Sequence, residues 1–178
     1  MEYFYKIKSP VGLLTVSSDG NNISGLWIEG QKHFLKTLDR DAVEQKLPVF
    51  EDVKNWLDIY FSGREPDFMP PLSPKGSPFQ QKIWKYLCGI PYGKTAAYGD
   101  LAKKFESQNK GRRMSARAVG GAVGRNPVSI LIPCHRVIGK NNSLTGYAGG
   151  IAVKTKLLQL EGILLAENRR VQVWGRGK

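Results

Sequence analysis

Cysteine and histidine are scarce in this chain, with two of each among its 178 residues. A secreted fold held by disulfides needs more cysteines at regular spacings, and a structural zinc site needs four well-spaced ligands. The composition therefore argues against a disulfide framework and against a metal centre. It favours a protein of a reducing compartment.

Long apolar runs are missing as well. No stretch approaches the roughly 18 apolar residues that cross a bilayer, and residues 1–8 lack the apolar core of a signal peptide. Hydrophobic residues still make up 41% of the chain, so we expect a globular protein rather than a disordered one. We place it in the cytoplasm, with no membrane partner.

Acidic residues are in deficit. The chain has 27 Lys and Arg residues against 15 Asp and Glu residues, which gives a formal net charge of +12 at pH 7. A field of this sign attracts polyanions. Because no basic amphipathic helix of the membrane-surface type stands out, the charge favours nucleic acid over an anionic membrane.

The first half of the chain shows a strand pattern followed by a helical one. Residues 3–8, 13–18 and 23–28 read as three short strands separated by turn signals, which predicts an antiparallel meander. Apolar residues within 53–61 then recur at helical spacing. The pattern predicts a small α/β domain.

Proline marks the domain boundary. Residues 66–78 contain five prolines, which predicts an extended linker. We therefore predict an N-terminal domain with its linker over residues 1–74 and a C-terminal domain over residues 75–165. A basic tail over residues 166–178 follows, for which a short strand and a DNA contact are both open.

The second half begins with a clear helix start. Ser77 is a candidate N-cap, Pro78 suits the first helical position, and Gln80 completes a capping box. Two further helices, predicted at residues 98–105 and 115–123, are joined by a basic loop. Two short helices joined in this way indicate a helix-turn-helix.

The second helix of that pair has almost no side-chain bulk, while Arg117 projects near its start. Glycine in a helix costs about 1 kcal/mol relative to alanine, so its presence needs a reason. Close packing against another helix and close approach to a nucleic-acid groove both supply one. The small residues are Ala116, Ala118, Gly120, Gly121, Ala122 and Gly124.

The last predicted helix spans residues 152–161, with Val153, Leu157 and Leu160 facing the core. Glu161 falls in its last turn, where a carboxylate faces the negative end of the helix dipole. A residue that breaks a local rule can mark a functional site. The alternative is a solvated surface glutamate.

A cysteine lies beside two basic side chains at the end of an apolar run. Residues 128–132 read as a buried strand, and Cys134, His135 and Arg136 follow after one proline. Basic neighbours lower the pKa of a thiol, and only the thiolate is a nucleophile. The alternative is a buried apolar filler. Cys88, at the end of a helix with no charged partner, reads as such a thiol.

Adjacent side chains point apart, so a direct hydrogen bond between Cys134 and His135 is not assured, and a water molecule can bridge them. A hydrogen bond between His135 and the Glu161 carboxylate would orient the His135 ring and stabilise its charged form. This arrangement fits a nucleophilic cysteine. Taken alone, it also fits a cysteine hydrolase, although no oxyanion hole can be located in the sequence.

Three motifs carry a resemblance to a known family. They are Pro-Cys-His-Arg-Val at residues 133–137, Arg-Ala-Val-Gly-Gly at 117–121 and Tyr-Ala-Gly-Gly at 147–150. Together they resemble the O6-alkylguanine-DNA alkyltransferases over residues 77–162, and residues 3–74 resemble the N-terminal domain of that family more loosely.

The resemblance implies an α+β fold. Its first domain is ribonuclease-H-like with a three-stranded antiparallel sheet, and its second is mainly helical with a winged helix-turn-helix. It also implies a DNA repair protein that moves the alkyl group of O6-alkylguanine, and of O4-alkylthymine, onto its own cysteine. Each molecule would act once, as a monomer, without a cofactor, on double-stranded DNA. Cooperative binding along DNA stays open.

The resemblance also implies a role for each matching residue. Cys134 would accept the alkyl group, His135 would act through water as its base, and Glu161 would orient the histidine. Tyr98 would help to turn the nucleotide out and assist the leaving guanine. Asn126 would fix the turn between the recognition helix and the strand that leads to the cysteine.

Arg117 would fill the place in the base stack that the flipped nucleotide leaves. Some members of the family have serine where this chain has Ala148, so a backbone N–H would have to contact the lesion oxygen here. An insertion at residues 106–114 lengthens the basic loop. The predicted DNA contacts are Tyr98, Ser115, Arg117, Ala118, Gly121, Ala122 and Arg125, and the predicted base pocket comprises Val137, Tyr147, Ala148 and Gly149.

A binding protein is the second hypothesis. Alkyltransferase-like proteins resemble the same family but flag the lesion without repairing it. They lack the acceptor cysteine, so the presence of Cys134 argues against this alternative.

Overall fold

The computed structural model of this protein describes residues 1–111 and 113–163. The chain forms two compact units. The first comprises Met1–Lys75 together with Pro127–Leu131, and the second comprises Gly76–Asn126 together with the chain from Ile132 onward. The predicted basic tail lies outside the described residues, and the predicted domain boundaries stay predictions.

A four-stranded sheet forms the centre of the first unit. Strands β1 (Tyr3–Ser9), β2 (Gly12–Ser18) and β3 (Ile23–Ile28) pair antiparallel, as the sequence predicted. A two-residue strand, β4 (Val43–Glu44), adds to β1 in parallel and gives the order β3-β2-β1-β4. The sequence did not indicate β4, because two exposed residues carry no strand pattern.

Helix α1 (Pro48–Phe61) packs on this sheet. Its apolar stripe is the one expected from residues 53–61, but the helix begins earlier, with Pro48 in its first turn. The Phe50 ring stacks on that of Tyr5 from β1, with centroids 6.3 Å apart. Its buried side chains are Val49, Phe50, Val53, Trp56, Leu57 and Tyr60.

The apolar run before the cysteine is not the strand that we expected. Within the first unit, the Leu26 N–H donates to the Pro127 carbonyl at 2.8 Å, and the Ser129 N–H donates to the Leu26 carbonyl at 2.8 Å. Pairing then stops, because Ile130 adopts a positive φ of 71° and the chain turns. A buried turn and a buried strand give the same run of apolar residues, so the sequence pattern could not separate them.

The second unit is mainly helical. It contains α2 (Pro78–Cys88), α3 (Tyr98–Gln108), α4 (Ala116–Val123) and α5 (Ile151–Leu160). Two-residue strands β5 (Ala96–Ala97) and β6 (Val137–Ile138) pair in parallel. In the described part of the chain, no helix has the length and apolarity that a bilayer crossing requires.

Local capping explains where α2 begins. The Gln80 N–H donates to the Ser77 hydroxyl at 3.3 Å, and the Ser77 N–H donates to the Gln80 side-chain oxygen at 2.8 Å, which confirms the predicted capping box. Trp84 of this helix donates its indole N–H to the Ala122 carbonyl at 2.9 Å. This bond attaches α4 to α2 and positions the second helix of the helix-turn-helix.

Helix α5 corrects one expectation. The sequence placed Val153 in the core, but the buried residues are Lys154, Leu157 and Leu158, while Val153 and Leu160 are half-buried. A lysine is rarely buried unless its amine has partners. The Lys154 amine has three of them, all main-chain carbonyls.

Candidate active site

Cys134 begins a short 3-10 turn, Cys134–Arg136, and its side chain is 4% exposed. The Asn126 side-chain amide donates to the Cys134 Sγ at 3.2 Å and to the Ile132 carbonyl at 2.9 Å. Burial raises the pKa of the Cys134 thiol, while the Asn126 hydrogen bond and the positive charge of Lys154 oppose the rise. The resting thiol is therefore protonated and needs a base before it can attack.

His135 and Glu161 are in contact, as the sequence led us to expect. The His135 Nε2 lies 2.6 Å from the Glu161 Oε1, and both side chains are buried. Burial lowers the pKa of His135, although the neighbouring carboxylate opposes this. A neutral ring whose Nε2–H donates a hydrogen bond to the carboxylate carries its basic electron pair on Nδ1.

Arg136 shares the same carboxylate. Its Nε donates to the Glu161 Oε2 at 2.9 Å, its Nη2 donates to the Oε1 at 3.2 Å, and its Nη1 donates to the Ile90 carbonyl at 2.7 Å. Burial alone would raise the pKa of Glu161, but His135 and Arg136 outweigh it and lower the pKa to about 2. Glu161 therefore stays ionised at neutral pH.

The position of Glu161 at the end of α5 now has an explanation. It is the C-cap residue of the helix, where the helix dipole disfavours a carboxylate. Its oxygens also accept the Gly93 N–H, at 3.2 Å, in addition to the bonds from His135 and Arg136. Charge-assisted hydrogen bonds of this kind are stronger than a surface dipole effect.

Tyr98 begins α3 and reaches the loop before α5. Its hydroxyl donates to the carbonyls of Thr145, at 3.2 Å, and Gly146, at 3.3 Å. Burial, together with the negative charge of Cys134 in its thiolate form, raises the pKa of Tyr98 to about 12. The phenol therefore stays protonated at neutral pH and acts as a hydrogen-bond donor.

A cavity of about 700 Å³ opens beside Tyr98. The predicted pocket residues Tyr147, Ala148 and Gly149 come directly after Gly146, the last lining residue of this cavity along the chain, and are half-buried. Val137 is fully buried in β6. None of these four is among the residues that line this cavity. Its lining includes Tyr98, Asp100, Lys103, Arg117, Lys140 and Gly146.

A second cavity, of about 480 Å³, runs along α4. Ser115 caps the helix by accepting the Ala118 N–H at 3.1 Å, and the Arg117 side chain is exposed. Apart from Tyr98, all the residues predicted to contact DNA line this cavity. They are Ser115, Arg117, Ala118, Gly121, Ala122 and Arg125, joined by Ser77, Phe79 and Gln80.

The glycines of α4 are not required by packing within the described residues. A Cβ built on Gly120 would lie 3.7 Å from the Tyr98 ring, which is an ordinary van der Waals contact. A Cβ built on Gly121 would lie 3.3 Å from the Arg125 Nη1, the end of a flexible side chain. Of the two sequence-based explanations, close helix packing therefore loses support. The small residues leave a shallow helix face open to a ligand.

Two family models match almost the whole chain. The ribonuclease-like domain of 6-O-methylguanine DNA methyltransferase matches residues 3–74. The DNA binding domain of the same methyltransferase matches residues 78–163. The chain belongs to the 6-O-methylguanine DNA methyltransferase family.

Relatives in this methyltransferase family match over similar lengths. The methylated-DNA–protein-cysteine methyltransferase of Haemophilus influenzae is 42% identical over 162 residues, which are 90% of this chain and 87% of that protein. The protein of the same name from Methanosarcina mazei is 42% identical over 159 residues, 89% and 96% of the two chains. The crystal structure of Mycobacterium tuberculosis OGT in complex with DNA has a TM-score of 0.77 and 39% identity, and the match covers 89% and 92% of the two chains.

The sequence did not indicate the hydrogen-bond partners of two polar residues of this methyltransferase fold. Arg136 was read as a cation beside the thiol, but its guanidinium binds Glu161 instead. Lys154 was not singled out at all. The sequence holds no signal that links residue 136 with residue 161, because that contact exists only once α5 is packed against the 3-10 turn.

Proposed function

We propose that this protein transfers the alkyl group of O6-alkylguanine in double-stranded DNA to Cys134. The observation that carries the proposal is the buried thiol held by Asn126 at 3.2 Å beside an imidazole held by Glu161 at 2.6 Å. Relatives at about 40% identity are named for methyl transfer from DNA to a protein cysteine. A structural relative was crystallised with DNA.

The reaction is an in-line displacement. His135, acting through a water molecule, takes the proton of the Cys134 thiol, and Glu161 stabilises the imidazolium that forms. The sulfur then bonds to the alkyl carbon as the bond from that carbon to O6 breaks. The electron pair of the broken bond stays on O6 of guanine. The Tyr98 hydroxyl assists this leaving group when its single proton turns from the Thr145 and Gly146 carbonyls toward O6. The product is a thioether, which nothing in the site can cleave, so each molecule acts once.

The alkyl carbon lies inside the duplex, so the nucleotide must leave the base stack at a cost of a few kcal/mol. The small residues of α4 let this helix enter the minor groove, and Arg117 fills the place that the base leaves. Ser115, Ala118, Gly121, Ala122 and Arg125 line the same face. The net charge of +12 supports binding through phosphates, which suits damage in any sequence.

The base pocket sets the range of lesions. Tyr147, Ala148 and Gly149, together with Val137, would surround the flipped base, and a backbone N–H would contact the lesion oxygen because Ala148 has no hydroxyl. O4-alkylthymine presents a similar alkyl ether and belongs to the proposed range. We propose that the protein acts as a monomer on DNA in the cytoplasm.

Intact-protein mass spectrometry tests the proposal directly. The protein is incubated with a duplex that contains one O6-methylguanine, beside the variants Cys134→Ala and Cys88→Ala. We expect the native chain and Cys88→Ala to gain one methyl group each and then stop, while Cys134→Ala gains none. Tight binding to the lesion duplex without any mass gain would instead indicate a protein that flags damage.

A further inference from the structure

Lys154 is a buried cation that the proposed reaction does not yet use. Its side chain is 0% exposed, and its ammonium group donates to the carbonyls of Val137, Thr145, at 3.0 Å, and Gly146, at 3.5 Å. An ammonium group loses much hydration energy on burial, and neutral carbonyls restore only part of it. Lysine at this position therefore needs a further reason.

The three carbonyls belong to two segments of the site. Val137 directly follows the turn that carries Cys134, whereas Thr145 and Gly146 lie in the loop beside the cavity. The carbonyls of Thr145 and Gly146 also accept the Tyr98 hydroxyl. One ammonium group therefore links the segment after the cysteine turn to the loop whose carbonyls also accept the Tyr98 hydroxyl.

The charge of Lys154 acts on the thiol as well. Burial lowers the pKa of Lys154 to about 8, and a negative charge on Cys134 opposes that fall. In return, the positive charge of Lys154 opposes the rise that burial causes in the pKa of Cys134. Its other titratable neighbours in the described site are His135 on the same turn and Tyr98 on α3. Burial keeps His135 neutral at rest and Tyr98 protonated, so Lys154 already acts on Cys134 with a positive charge before the thiol proton moves to His135.

We propose that Lys154 is a positioning residue for alkyl transfer, whose ammonium stabilises the Cys134 thiolate as it forms and holds the Thr145–Gly146 carbonyls against Tyr98. The inference rests on the proposed transfer to Cys134. It assigns the charge and the three hydrogen bonds separate tasks. The charge favours the nucleophile, and the bonds fix the loop.

Substitutions at Lys154 separate these tasks. Lys154→Gln keeps an N–H donor and removes the charge, Lys154→Met removes both, and Lys154→Arg keeps the charge. Lys156→Met, at an exposed lysine of the same helix, is the matched control. All are made in a Cys88→Ala background, so that Cys134 is the only thiol.

The first readout does not involve DNA. The rate at which iodoacetamide alkylates Cys134 is followed against pH, which reports the thiolate fraction. We expect the midpoint to rise by about one unit in Lys154→Gln and Lys154→Met, so that alkylation near neutral pH slows ~10-fold and recovers at alkaline pH. Lys154→Arg should restore most of the rate, and Lys156→Met should match the parent.

The second readout is single-turnover transfer from an O6-methylguanine duplex, which should slow by a similar factor in Lys154→Gln. A wild-type iodoacetamide profile in Lys154→Gln would overturn the inference, even if its melting temperature fell. If the parent protein transfers no methyl group at all while the iodoacetamide profiles shift as expected, the proposed function fails and the assignment of Lys154 to the thiol stands.

Discussion

Two buried glutamates, one in each unit, look alike until their partners are compared. Glu2 is 4% exposed and Glu161 is 5% exposed. Glu2 accepts the Ser17 and Ser24 hydroxyls, the Asp39 N–H at 2.8 Å and the Lys75 ammonium at 3.0 Å. None of these groups is a base at neutral pH, so the cluster joins the start of the chain to more distant segments of the first unit.

Glu161 differs because one of its partners is an imidazole next to a thiol. His135 can exchange a proton at neutral pH, and Arg136 keeps the carboxylate charged while it does so. Burial therefore does not distinguish the carboxylate proposed to act in catalysis from the structural one. The chemistry of their hydrogen-bond partners distinguishes them.

The largest expected effect separates the two glutamates by rate. Glu161→Gln should slow methyl transfer from a lesion duplex by roughly 100-fold or more, because the imidazolium loses its stabilising charge. Glu2→Gln, the matched variant, should transfer at a rate within about twofold of the parent and lose only stability, roughly 1–3 kcal/mol. Single-turnover kinetics at saturating protein measure both. Equal slowing in the two variants would break the comparison.

Arg136→Gln removes the cation that holds Glu161. It leaves a buried carboxylate without its guanidinium partner, so we expect the free energy of unfolding to fall by about 3–5 kcal/mol. Urea denaturation measures the loss, with Arg117→Gln as a control at an exposed arginine of the same unit. A loss as small as that of the control would show that the guanidinium contributes little.

Acid should weaken the cluster of hydrogen bonds around Glu161 within a defined pH range. The pKa of Glu161 is about 2 in the folded protein against an ordinary value of 4.5. Because the folded-state value is the lower one, the stabilisation is complete above about pH 4.5 and is lost as the pH falls toward 2. We expect a loss of roughly 2–4 kcal/mol, read from urea midpoints. In Glu161→Gln this part of the pH slope should be absent, and a slope that persists would assign it elsewhere.

The smallest effect on stability is expected at Lys75, the cation that binds Glu2. Lys75 bonds Glu2 at 3.0 Å and Asp39 at 2.7 Å, but its side chain is 46% exposed. Water screens such a pair, so Lys75→Gln should lower the free energy of unfolding by about 1 kcal/mol or less. Thermal melts at low and high salt test this. A loss as large as that of Arg136→Gln would show that the cations of the two clusters contribute equally to the free energy of unfolding.

Much of the fold could be predicted from local signals. The three antiparallel strands and the capping box at Ser77 follow from turn residues and side-chain bonding within a few positions. The two-residue strand β4 could not be predicted, since it exists only through its pairing with β1. The run at residues 128–132 was misread as a strand, because burial alone makes both strands and turns apolar.

The site divides in the same way. The contact between His135 and Glu161 was expected from a resemblance to a family, and the two side chains do meet at 2.6 Å. The partners of Arg136 and Lys154 were not expected, because a buried cation is recognised by the acceptors around it. Those acceptors come from distant parts of the chain. The roles of all these residues in transfer stay predictions.

The burial of Cys134 has a consequence for the time before any lesion is met. A protein that reacts once must keep its sulfur unspent, and peroxides and small electrophiles attack the thiolate form. Burial raises the pKa of this thiol and leaves its side chain 4% exposed, so little thiolate meets such reagents in the absence of DNA. The packing that makes the nucleophile dependent on its neighbours thus also slows the loss of the Cys134 thiol to oxidation and to small electrophiles.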